Sequence, residues 1–150
     1  MGRIIQSFYK EYLFMNNHIN FFKVSISSYL FLVSTVFAAW PHEDISQAVF
    51  AQSVKDREPI EIITEADNSL GKIYFFTNIR HLKGDKITHR WSYKGKVKAE
   101  IDFDIKGNRW RVWSSKNLWH RWTGQWKVEV VNQNNQVLLT KTFEYKKENE

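Results

Sequence analysis

From about Ala48 to Tyr145 the apolar residues recur with a period of two rather than 3.6, and turn residues interrupt them at short intervals. The pattern predicts strands over Ala48 to Val54, Ile60 to Thr64, Lys72 to Asn78, Lys86 to Ser92, Lys96 to Ile105, a segment about Trp110 to Trp113, Gly124 to Val131 and Val137 to Tyr145. No helical stripe covers a face, so the strands must bury one another. The expectation is an all-β, immunoglobulin-like antiparallel β-sandwich of seven to eight strands over residues 48–145, with a charged tail at 146–150 and a flexible lead-in at 39–47.

Parity sets the expected registers. A three-residue loop Tyr93-Lys94-Gly95 pairs Trp91 with Val97, His89 with Ala99 and Ile87 with Ile101, all on one face. Gly107-Asn108 suits a two-residue hairpin loop, pairing Ile105 with Trp110, Phe103 with Val112, Asp104 with Arg111 and Asp102 with Trp113. Asp56-Arg57-Glu58-Pro59 reads as a turn in which Pro59 fixes the exit and Arg57 pairs locally. Ser114 to Thr123 is polar, aromatic and irregular, which predicts a surface loop.

Upstream of the strands, Val24 to Ala38 is uncharged, follows Lys23 and is diluted by serine and threonine. Fifteen residues fall short of the roughly 20 that span a bilayer. Val36 and Ala38 stand where a signal peptidase reads small residues, so residues 1–38 are expected to be a signal peptide cut between Ala38 and Ala39. Met15 would give a signal of ordinary length and is the expected true start. The expected location is periplasmic or secreted, with no stable membrane span after cleavage.

Composition adds exclusions. The 150 residues contain no Cys, which removes disulfides, thiolate metal sites and Cys nucleophiles. Seven Trp, six Tyr and eleven Phe can build a core without such staples. The formal net charge of +6 favours acidic partners without diagnosing nucleic acid.

Between Asp104 and Glu129 there is no acidic residue, whereas Lys106, Arg109, Arg111, Lys116, Arg121 and Lys127 supply six cations, with Trp110, Trp113, Trp119, Trp122 and Trp126 interleaved. Cations beside exposed indole faces can hold an anionic group while stacking on a flat ring. Parity turns Trp110 and Trp126 inward and pairs Arg111 with Asp104. The candidate ligand-binding residues are therefore Trp113, Lys116, Trp119, His120, Arg121, Trp122, Arg109 and Arg111. Replacing Trp119 and Trp122 by Ala is expected to weaken binding with little change in melting temperature.

Other chemistry finds no support. Glu100, Asp102 and Asp104 alternate along one strand about 7 Å apart, without the converging loop that calcium needs or the geometry of a glycosidase pair. His81, His89 and His120 lack metal-ligand spacing, and parity buries His89 beside Trp91, hydrogen-bonded to backbone. Ser114-Ser115 lies in no nucleophile elbow, and no phosphate-binding glycine loop is present. No catalytic residue, metal or cofactor is expected.

The ordered runs Asp56-Arg57-Glu58-Pro59, Ile73 to Thr77, Thr88 to Trp91, Arg109 to Lys116 and Thr123 to Trp126 resemble the bacterial domain-of-unknown-function family 2914, over roughly Ala48 to Tyr145. The resemblance implies a small all-β, envelope-associated domain and no activity. The expected function is thus an exported non-catalytic binding module of the bacterial envelope. Its partner would be an envelope polyanion (an anionic glycan or lipid headgroup) or an envelope protein. A nucleic-acid-binding domain, if the chain is not exported, and an enzyme of unfamiliar type are the alternatives.

Overall fold

The computed structural model describes residues 42–148. The expected signal segment, its cleavage site and the start at Met15 lie outside these residues, as do the last two of the tail. Nine strands fill the described chain: β1 (Ile45–Lys55), β2 (Glu58–Ile63), β3 (Glu65–Asp67), β4 (Lys72–Arg80), β5 (Lys86–Tyr93), β6 (Lys96–Asp104), β7 (Arg109–Asn117), β8 (Gly124–Asn132) and β9 (Val137–Lys146). They form two sheets, ordered β2-β1-β4-β7 and β3-β9-β8-β5-β6. Taking β1, β4 and β7 as A, B and E, and β9, β8, β5 and β6 as G, F, C and C′, this is the strand arrangement of an immunoglobulin-like sandwich.

The core is aromatic because no disulfide is available to fill it. Trp91 of β5 is fully buried, and the rings of Phe50, Phe75 and Phe143 surround it at 6.1, 6.4 and 6.5 Å. These edge-to-face arrangements are those that aromatic quadrupoles favour. Ile73, Ile79, Ile87, Val128 and Val130 complete the two inner faces, at the positions that strand alternation requires.

Four expectations change. First, β1 starts at Ile45, inside the span 39–47 expected as a lead-in, and Lys146 belongs to β9 rather than to a tail. Lys146 Nζ stands 2.6 Å from the Glu65 carboxylate. Second, β3 adds a ninth strand, and its pairing with β9 is parallel, so the second sheet is mixed.

Third, the β5–β6 turn has two residues, Lys94 and Gly95, at φ 48° and 73°, the signature of a type I′ turn. A register shift between Trp91 and Ser92 then pairs Trp91 with Ala99, His89 with Ile101 and Ile87 with Phe103. Each partner lies two residues beyond the expected one, which preserves the inward face. Tyr93 stays in the strand because it also pairs with Trp126 of β8, and the irregularity absorbs the extra residue.

Fourth, Gly107-Asn108 is not a hairpin. β6 pairs with β5 and β7 pairs with β4, so this dipeptide carries the chain from one sheet to the other. The Ile105 N–H donates to the Asp85 carbonyl at 2.9 Å, and the His81 N–H to the Asn108 carbonyl at 3.0 Å. Those bonds zip the two crossover loops together, and Ile105 is buried beneath them.

Candidate functional site

Leu118 to Thr123 joins β7 to β8. It is the loop expected within Ser114 to Thr123, but Ser114 to Asn117 continue β7. Buried Leu118 anchors it, with its N–H bonded to the Gly71 carbonyl at 2.9 Å, and the Trp122 N–H closes a turn on the Trp119 carbonyl at 2.8 Å. That turn leaves Trp119 half exposed, at 50%.

Rings run from this tip to the core. Trp119 meets Trp122 edge-on at 6.2 Å, Trp122 lies 5.8 Å from Trp126, and Trp126 stacks on Tyr93 at 4.9 Å and on Phe143 at 6.4 Å. Polar edges are satisfied along the way. The Trp126 indole N–H donates to the Trp122 carbonyl at 3.0 Å, and the Tyr93 hydroxyl to the Thr123 carbonyl at 2.8 Å. Three cations lie over these rings: Arg121 on Trp119 at 5.3 Å, Lys98 on Trp122 at 5.3 Å and Lys94 on Tyr93 at 5.2 Å. Such contacts are worth about 0.5 to 1 kcal/mol at an exposed site. The loop therefore presents an indole plate with positive charge held against it. Tyr93, Lys94 and Lys98 are additions that the sequence could not supply, because only the pairing of β5 with β8 on one side and β6 on the other brings them here.

The eight expected binding residues do not form one site. Trp119, His120, Arg121 and Trp122 share the loop, with His120 exposed beside Trp119 at 5.5 Å. Lys116 is half-buried near the end of β7, level with Ile73. Trp113 stands in mid-strand, level with Phe76 and 37% exposed. Arg109 and Arg111 are at the start of β7, and six residues of strand, about 20 Å, separate Arg111 from Asn117. Arg111 faces Glu58 at 2.8 Å instead of the expected Asp104, because β6 is in the other sheet. Two of the three carboxylates of β6 are engaged with β5. Glu100 accepts from Arg90 Nε at 2.6 Å and Asp102 from the Thr88 hydroxyl at 2.7 Å.

The Asp56-Arg57 turn is also wider in reach than expected. Its guanidinium lies 5.9 Å from the Trp110 ring, a contact across more than fifty residues of sequence rather than a local pair.

His89 is buried beside Trp91, but its partners are side-chain hydroxyls of the opposite sheet rather than backbone. Thr77 Oγ1 is 3.1 Å from Nε2 and Ser114 Oγ is 3.0 Å from Nδ1. Desolvation pulls its pKa down from 6.5 to about 3. The Ser114 hydroxyl oxygen also accepts the Trp91 indole N–H at 2.9 Å. A serine against a histidine is a nucleophile–base spacing, yet both side chains are sealed between the sheets where no substrate can reach them.

The molecule is thus an immunoglobulin-like sandwich with two separate cationic aromatic clusters at the two ends of β7. Residues 84–145, from the loop before β5 nearly to the end of β9, match a family described as Protein of unknown function (DUF2914). The match is shorter than the resemblance read from the sequence: Asp56 to Pro59 and Ile73 to Thr77 lie outside it. Among curated proteins none matches the chain.

Proposed function

We propose that this chain is an exported, non-catalytic binding module of the bacterial cell envelope that holds an anionic glycan on the β7–β8 loop. The observation that carries this reading is the half-exposed Trp119 indole with the Arg121 guanidinium 5.3 Å from its ring. An indole face receives the apolar C–H face of a sugar, and a cation fixed beside it receives the carboxylate, sulfate or phosphate that the sugar carries. Trp122, Lys98 and Lys94 continue the cationic aromatic surface beside it. Export rests on the apolar run Val24 to Ala38 and the small residues at Val36 and Ala38.

Two measurements test the proposal. Intact mass of the protein from a periplasmic fraction should give a species beginning at Ala39; a cytosolic species retaining residues 1–38 would overturn export. Titration with an acidic polysaccharide should show saturable binding that Trp119→Ala and Arg121→Ala each weaken, while a neutral polymer of the same backbone binds less. Equal binding by wild type and both variants would remove the loop from the reading.

A further inference from the structure

The β1–β2 hairpin follows the sheet only part of the way. The last β1–β4 pair is Ala51 with Tyr74, and within the hairpin the ladder breaks at Gln52 and Glu61, where Glu61 takes φ 53°. Extended straight, the strand would carry its tip well past Lys72, away from the start of β7. Instead Arg57 lies against Trp110, and Glu58 Oε1 is 2.8 Å from Arg111 Nη2. The arm therefore bends at Gln52 and Glu61 and doubles back along the sheet. Its tip, with Arg109, Trp110 and Arg111, lines a cavity of about 130 Å³.

We infer that this cavity is a phosphoryl-binding site, separate from the loop of the proposed function, in which Arg57, Arg109 and Arg111 hold the oxyanion and Trp110 forms the wall. Three arginines line so small a space, and their like charges disfavour one another unless an anion lies among them. Glu58 neutralises one of the three. Among the described residues no carboxylate lies within 4.0 Å of Arg57 or Arg109. The surplus of two positive charges matches a phosphate monoester, which carries −1.5 to −2 near neutral pH. Arginine's planar fork suits a phosphoryl oxygen pair. The cavity is about four times the ~30 Å³ of a water molecule in the liquid, room for one tetrahedral group.

The turn itself gives an independent indication. Asp56 and Arg57 both have left-handed backbone, at φ 51° and 63°, in a turn whose second centre is ordinarily glycine. A glycine would close this turn without strain. The arginine that stands there is the residue that completes the trio.

The test uses the full chain in solution, with side-chain NMR of the arginine Nε–H groups and the Trp110 indole at constant ionic strength. Inorganic phosphate should produce saturable shifts that chloride does not. Arg57→Gly, which suits the turn, should preserve the melting temperature and weaken phosphate binding about tenfold, as should Arg109→Ala. Glu58→Gln, which removes the competing carboxylate, should tighten it, and Trp119→Ala should leave it unchanged. Binding to phosphatidic acid vesicles beyond that to phosphatidylcholine, lost in Arg57→Gly, would assign the phosphoryl group to a lipid. Phosphate binding without vesicle binding would assign it to a soluble ligand. Unsaturable shifts, or wild-type affinity in both arginine variants, would overturn the inference.

Discussion

Ser114 Oγ lies 3.0 Å from His89 Nδ1 and joins β7 to β5 across the middle of the sandwich. The Trp91 indole N–H donates to Ser114 Oγ at 2.9 Å, and the neutral imidazole is bonded at both ring nitrogens, Nδ1 to Ser114 Oγ and Nε2 to Thr77 Oγ1. Ser114→Ala would orphan both the indole N–H and Nδ1 in the core. The expected cost is about 2 to 6 kcal/mol, from two buried groups at about 1 to 3 kcal/mol each, and denaturant unfolding measures it. A loss under 0.5 kcal/mol would mean that the two sheets do not depend on this chain of bonds.

Acid sensitivity follows from the same group. His89 has its folded pKa lowered from 6.5 to about 3 by burial, so between those values the unfolded chain binds a proton that the folded chain does not. Stability from this residue is therefore complete above pH 6.5 and drains away as pH falls towards 3, with a slope approaching about 1.4 kcal/mol per pH unit. Carboxylates add their own acid dependence, so the measurement is a difference: unfolding free energy from pH 7 to pH 4 for wild type against His89→Gln. The glutamine variant should show the shallower slope. Parallel slopes would mean that His89 titrates normally in the folded protein.

The inner faces of β5 and β8 were legible in the sequence because period two fixes a side chain's face whatever its partner. Ile87, His89, Trp91 and Trp126 all point inward as expected, even though the register with β6 lies two residues from the expected one. Partner identity was not legible. Gly107-Asn108 encodes a local change of direction and says nothing about which sheet receives the next strand, so Arg111 was matched to Asp104 when it meets Glu58. β3, three residues long, carries too little pattern to be seen. Arg57 was invisible as a site residue because its neighbour Trp110 is far away in sequence and a bend at Gln52 and Glu61 brings them together. The one signal was a bulky residue where a tight turn prefers glycine.

Trp119 and Trp122, expected from the sequence to behave alike, should separate. Trp119 projects to solvent, whereas Trp122 packs on the core among Tyr93, Trp126 and the Lys98 ammonium. Trp119→Ala should stay within about 0.5 kcal/mol of wild-type stability and weaken glycan binding. Trp122→Ala should cost about 2 to 3 kcal/mol, less than a fully buried tryptophan. Thermal unfolding of the two variants decides the matter, and equal losses would place Trp119 in the core as well.

The β5–β6 turn presents Lys94 to the aromatic cluster at the expense of backbone ease, since Lys94 sits at φ 48° where Asn or Gly is preferred. Lys94→Asn should raise stability by a few tenths of a kcal/mol, up to about 1, and reduce affinity for a polyanion by removing the cation 5.2 Å from the Tyr93 ring. Gly95→Ala, at φ 73°, should do the reverse for stability, at a cost of about 1 kcal/mol or more. Paired measurements of unfolding and polysaccharide binding separate turn strain from surface charge. If Lys94→Asn weakened both together, the turn would be fixing the aromatic cluster rather than merely lending it a charge.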